Sequence, residues 1–205
     1  MVKLISLLLA STLLLAGLNS CDNTKKTPES QEETPAPAGA AMPDTLVHRQ
    51  AKKISQEAFA ALSGALQKAI AEGGVLHAID LCKTQANPIT AAVGASQGAV
   101  VKRIAVRYRN PDNAVNSTEL QLFDDWSTQI GRGEDPAAVV LHEGENRIWY
   151  GAIRISNPLC LQCHGAPGKD IAEATLAQLR ATYPDDRATG FALGDLRGAW
   201  KVTLP

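Results

Sequence analysis

The sequence predicts an α+β domain built on an antiparallel sheet. Three observations predict it. Apolar residues recur at three- and four-residue spacings early in the globular part, the pattern of a helix face. Later stretches alternate apolar and polar residues and are separated by turn residues, the pattern of strands in hairpin order. Helix-start signatures lie among those strands, and no regular strand–helix–strand alternation appears.

The elements follow in order. Val47, Ala51, Ile54, Ala58, Leu62, Leu66 and Ile70 mark one face of a long helix, which Gly73-Gly74 ends. A second helix is predicted from about Val75 to Gln85. "NPIT" then starts a third, with Pro88 suited to its first turn. "AVVKRIAVRYR" (99–109) reads as a strand, with Ile104, Val106 and Tyr108 on one side and Arg103, Ala105 and Arg107 on the other. Asn116 with Glu119 forms a capping box for a helix through Leu122, Phe123, Trp126 and Ile130. "AAVVLHE" and "RIWYGAIRI" are two strands joined at "GEN". Asp170 with Glu173 predicts another capped helix, ending near Tyr183-Pro184. "GAWKVTL" closes the chain as a strand.

The front of the chain has a different composition. Residues 1–20 read as an export signal: Lys3 is followed by the apolar run "LISLLLASTLLLAG". "LNSC" resembles a lipobox, which would make Cys21 the acylated first residue of a mature lipoprotein; cleavage by an ordinary signal peptidase and an uncleaved anchor helix are the alternatives. Asp22 after it resembles an inner-membrane retention signal. Residues 21–46 are rich in Pro, Ala, Glu, Thr and Lys and predict a flexible tether. Residues 47–205 form one domain of ordinary size. A net charge of −1 argues against a nucleic-acid partner.

The chemistry concentrates at "CLQCHG" (160–165). C-x-x-C-H is the attachment pattern of c-type haem. The sulfurs of Cys160 and Cys163 form thioethers with the two vinyl groups, and His164 is held under the iron as proximal ligand. An exported chain suits this chemistry. A redox disulfide between Cys160 and Cys163 would suit a thioredoxin-like βαβ context, which is missing. Cys82, Cys160, Cys163 and His164 could instead form a zinc set, although the vicinal Cys163-His164 pair fits one tetrahedral ion poorly.

"CKTQA", "RYRNPDNAVNSTEL", "NPLCLQCHGAP" and "YPDDRATGFALGDLRGAWKV" occur in this order. Together they resemble the Tll-type haem domain, a bacterial family of single-haem c-type proteins with a PAS-like fold. The chain departs from the family pattern at Ile104-Ala105 and Thr118-Glu119. The resemblance implies a five-stranded antiparallel sheet flanked by helices with haem held against it. It implies a sensory or electron-transfer role and carries no enzymatic activity.

A proximal histidine leaves one axial position. Met42, His48, His77, Cys82 and His142 are the candidates, with no ligand at all as the remaining alternative. Val75, Ile79, Cys82 and Ala86 share one helical stripe, which turns Cys82 to the core and His77 to solvent. A buried free cysteine is most often an inert small hydrophobe. The resemblance implies that Cys82 is the distal ligand. Arg107 and Arg109 are candidate partners of the haem propionates, and Arg103 reads as a solvated strand residue. Trp149 or Tyr150 could pack on the porphyrin; core packing serves as well. Asp185, Asp186 and Asp195 have turn roles.

The expected protein is thus a periplasmic, membrane-anchored lipoprotein with one covalent haem c. It would serve redox or diatomic-gas sensing, or electron transfer, through a redox or signalling partner. A small haem peroxidase and a structural, zinc-holding lipoprotein are the rival readings.

Overall fold

The computed structural model describes residues 42–205. The expected signal, the acylated Cys21 and most of the tether lie outside the described residues. Four helices and four strands follow in the order α1 (Asp44–Ala95), β1 (Val100–Ile104), α2 (Ser117–Gly131), β2 (Val139–Glu143), β3 (Asn146–Arg154), α3 (Pro158–His164), α4 (Glu173–Thr182) and β4 (Leu196–Leu204). A single 3-10 turn, Pro111–Asn113, lies before α2. α1 begins at Asp44, three residues before the expected domain start. No described helix is long and apolar enough to cross a membrane.

The sheet has the order β1-β4-β3-β2, and every neighbouring pair is antiparallel. Four strands stand among the described residues, where the resemblance implied five. β2 and β3 form the expected hairpin through Gly144 and Glu145. β1 is shorter than the alternation from 99 to 109 predicted. After Ile104 the chain bends away, and Ala105 makes only an isolated bridge with Ala114.

Gly74 breaks α1 with φ 75° and ψ −172°. This is a left-handed φ that glycine adopts without a Cβ penalty. A second helical run follows at once and passes straight through Pro88. The separate third helix expected there does not form. Proline cannot donate to the carbonyl four residues back, but helix 75–95 tolerates that loss. α2 starts at the predicted capping box. Asn116 Oδ1 accepts from the Glu119 amide at 2.8 Å, and Glu119 Oε2 accepts from the Asn116 amide at 2.9 Å. The capping box predicted for α4 does not form. Its cap is Ala172, and Asp170 Oδ2 instead accepts from the Ala166 amide at 2.9 Å.

The core between α1 and the sheet is built from Val47, Ala51, Ile54 and Ala58 against Val101, Trp149, Val202 and Leu204. Trp149 Nε1 donates to Nδ1 of the exposed His48 at 3.2 Å, which satisfies the buried indole. On the other face Phe123 and Trp126 of α2 pack with Ile104, Ile148 and Tyr150. Ile79 of α1 meets Leu176, Leu179 and Tyr183 in a third cluster.

Candidate functional site

A cavity of about 290 Å³ opens where the α1 stripe runs past the sheet. Its walls are set by sequence spacing. Leu62, Leu66 and Ile70 continue the face that Val47–Ala58 bury, and they line the cavity with Phe59 and Val75. Ile79, Cys82 and Ala86, from the second run, line it as well. The stripe drawn through Val75, Ile79, Cys82 and Ala86 therefore does face inward, and His77 is exposed. Trp200 of β4, rather than Trp149 or Tyr150, supplies the aromatic wall from the sheet.

The end of the cavity is made by α3. Asn157 caps this short helix by accepting from the Leu159 amide at 2.8 Å, and Pro158 occupies its first turn. Cys160, Cys163 and His164 all line the cavity, the two cysteines as free thiols. The helix ends at Gly165, and a Cβ there would stand 2.4 Å from Cβ of Asp170. The close return of the chain after the motif therefore requires glycine.

A later loop fastens this helix. The Phe191 amide donates to the His164 carbonyl at 2.9 Å, and the Gly190 amide donates to the Gly165 carbonyl at 2.6 Å. Arg109 Nη2 donates to the Cys163 carbonyl at 2.6 Å and to the Ala188 carbonyl at 3.2 Å. It also pairs with Asp186 at 3.1 Å. Asp186 Oδ1 accepts from the Ala188 amide at 2.7 Å. The conspicuous blocks "RYRNPDN" and "YPDDRATG" are thus the two sides of one clamp on the motif.

His164 is oriented by that clamp. Its Nδ1 lies 2.8 Å from the Ala188 carbonyl, and Arg197 Nε lies 3.3 Å from the same nitrogen. A carbonyl only accepts, so Nδ1 carries the proton and donates to Ala188. Nδ1 then has no lone pair for Arg197, whose N–H merely abuts it. Nε2 keeps the lone pair of the ring. Burial, followed by Arg197 and Arg109, holds the imidazole well below its ordinary pKa, against the Ala188 bond. It is a neutral, singly available nitrogen donor.

The cavity's charge is one-sided. Arg103, Arg109, Arg154 and Arg197 line it, and no carboxylate does. Arg109 has Asp186, and Arg154 pairs with Asp135. Arg103 and Arg197 have no carboxylate within ion-pair reach among the described residues. Arg103 Nη2 donates to Asn87 Oδ1 at 3.1 Å, while its buried Nε has no partner among the described residues. Arg103 is therefore a cavity residue, contrary to its reading as solvated. Burial lowers its pKa, and the nearby Cys82 and Tyr183 oppose that. Burial and the other arginines push Arg197 down to about 9, so it is charged at neutral pH. Burial raises the Cys82 thiol, and Arg103 and Arg109 partly offset this. Tyr183, beside them, is pushed up to about 12, mainly by burial.

Arg107 lies outside the cavity. It is exposed, donates to the Arg187 and Thr189 carbonyls, and stacks 3.9 Å from the Phe191 ring centroid. His142 pairs with Asp44 at 2.8 Å on the surface. No group of three or more His, Cys, Asp or Glu able to hold a metal ion occurs among the described residues, so the zinc set does not assemble. Arg103 was named in the sequence but read as solvated, and Arg197 and Trp200 escaped sequence reasoning. Their positions depend on strand register, which has no local signature.

A family model described as Tll0287-like matches residues 18–205. The chain belongs to the Tll0287-like family. A solved structure described as the cyanobacterial heme-protein Tll0287 is 26% identical, with a TM-score of 0.45. The match covers 69% of this chain and 93% of that one. No curated protein matches. In this member of the Tll0287-like family, the matched region contains the motif helix, its clamp and the arginine-lined cavity.

Proposed function

We propose that the cavity holds one haem c, attached through Cys160 and Cys163, with His164 as proximal ligand. The observation that carries the reading is the composition of a single cavity. Two free thiols and an oriented imidazole stand at one end, apolar walls form the sides, and of the four arginines that line it Arg103 and Arg197 have no carboxylate partner among the described residues. That lining suits a flat apolar ring with two acidic arms. Membership of a family named for a protein described as a heme-protein supports it. A covalent, single haem and a PAS-like fold are part of this proposal.

When bound, haem would supply a one-electron couple and, with a vacant position, a site for a small gas ligand. The chain's own residues divide the remaining work. Ala188 fixes the His164 tautomer so that Nε2 is the donor. Arg103 and Arg109 supply positive charge for the propionates. Phe59, Leu62, Leu66 and Trp200 exclude water. Cys82 is the proposed distal ligand, since it is a soft donor on the cavity wall.

We favour redox or gas sensing, or electron transfer, over a small peroxidase. No carboxylate, and no histidine other than His164, lines the cavity to serve as acid or base for peroxide. Cys82 lies on the run of α1 beyond the Gly74 break, so a change at its sulfur could shift that run alone. That favours sensing as the first role to test. The location proposed is the periplasmic side of the inner membrane, with Cys21 as lipid anchor and a separate redox or signalling protein as partner.

The test is production of the chain with haem-attachment machinery, followed by ferric electron paramagnetic resonance of the wild type and Cys82→Ala. Covalent haem in both, with a low-spin thiolate signature lost in the variant, is expected. Covalent haem with identical spectra would remove Cys82 as ligand. A Cys160→Ser/Cys163→Ser chain should carry no covalent haem; covalent haem retained there would overturn the attachment.

A further inference from the structure

Metal-bound histidines usually donate the second ring nitrogen to a carboxylate, a backbone carbonyl or water, and a carboxylate there adds electron density to the ring. The back of His164 has the opposite charge. Its Nδ1–H goes to the neutral Ala188 carbonyl at 2.8 Å, and Arg197 Nε abuts the same nitrogen at 3.3 Å. The guanidinium is fixed from three sides. Nη1 donates to the Arg107 carbonyl at 3.1 Å, and the group lies 5.4 Å from the Phe191 ring centroid. That ring in turn stands edge-on to the His164 ring, with centroids 6.3 Å apart. No carboxylate reaches Arg197 among the described residues, so its charge is not cancelled locally.

We propose that Arg197 is a positioning residue that sets the reduction potential by holding an uncompensated positive charge against the back of the proximal imidazole. The inference rests on the haem reading above. Ferric iron carries one more positive charge than ferrous iron. A half-buried cation against the imidazole opposes the extra charge, and the partial exclusion of water strengthens the effect. Arg197 therefore favours the reduced side of a one-electron exchange. It also keeps the ring from acting as a strong electron donor. A thiolate at the opposite axial position would pull the potential down, so Arg197 acts as its counterweight.

The experiment is equilibrium redox titration, with mediators at pH 7, of haem-loaded wild type, Arg197→Gln, Arg197→Met and Arg197→Lys. Gln keeps a donor for the Arg107 carbonyl, and Met keeps only bulk, so either neutral variant that folds is sufficient. Covalently attached haem is quantified in each chain first. Expected is a midpoint moved negative in Gln and Met, with Lys closer to wild type. Coincident midpoints in wild type and a haem-loaded neutral variant would overturn the role of Arg197 and leave the haem reading intact. An equal negative shift in Lys would also overturn it, because contacts rather than charge would then set the potential. A wild type without covalent haem would overturn the haem reading itself.

Discussion

Two charged clusters lie on the same sheet and solve burial differently. Glu119 is 4% exposed, yet every oxygen is engaged. Lys201 Nζ donates to Oε1 at 2.7 Å, Tyr150 Oη donates to it at 3.1 Å, and the Asn116 amide takes Oε2. Charge is balanced inside the chain. The cluster around Arg103, Arg109 and Arg197 is not balanced: only Asp186 answers it. An unpaired buried charge is costly in a folded protein. The first cluster is a closed structural unit. The second has more cationic than anionic groups among the described residues, and it borders the cavity where the cysteine pair and His164 stand.

Glu119→Gln breaks the balanced cluster. It keeps the cap geometry but leaves Lys201 without its counter-charge. Breaking a fully buried pair costs several kcal/mol. Lys201 is 23% exposed, so the loss expected in chemical denaturation is about 2 kcal/mol. A change under about 0.5 kcal/mol would mean that water already serves the lysine.

Acid sharpens the same point with a smaller effect. Burial raises the Glu119 pKa, but Lys201, Asn116 and Tyr150 outweigh it and leave the carboxyl below its ordinary value. A carboxyl depressed in the folded state adds stability above its unfolded pKa of about 4.3. That contribution is lost as pH falls through the lower folded value. The gap between wild type and Glu119→Gln should therefore narrow from pH 7 to pH 3. A gap that stays constant would show that Glu119 does not act through its charge.

Arg103→Met tests the unbalanced cluster, and its effect on the haem-free chain is the smallest. Removing a cation with an orphaned Nε should leave stability within about 1 kcal/mol or raise it. In the haem-loaded chain the same change should lower stability. Equal effects in both states would mean that Arg103 has no anionic ligand to serve.

Sequence reasoning reached what short-range physics decides. The Asn116/Glu119 cap was legible because both bonds close within four residues. The Cys82 stripe was legible because helical spacing alone sets its direction. The cap at Asp170 failed because its carboxylate has a competing amide, Ala166, only one residue farther off in sequence. Arg103 and Arg197 were not legible as a pair. They meet at one cavity through the β1–β4 register and the bend after Ile104, and neither is encoded within a window of a few residues. The α1 stripe was legible in full, but not its division. Val47, Ala51, Ile54 and Ala58 are wholly buried, whereas Leu62, Leu66 and Ile70 line open space.

The clamp on α3 imposes an order in time. The backbone bonds to His164 and Gly165 come from residues 190 and 191, which a ribosome adds after the motif. Until that segment folds back, Cys160, Cys163 and His164 sit on an unfastened stretch of chain. On the proposed haem reading, attachment at the two thiols would meet a looser backbone before residues 190 and 191 dock than after.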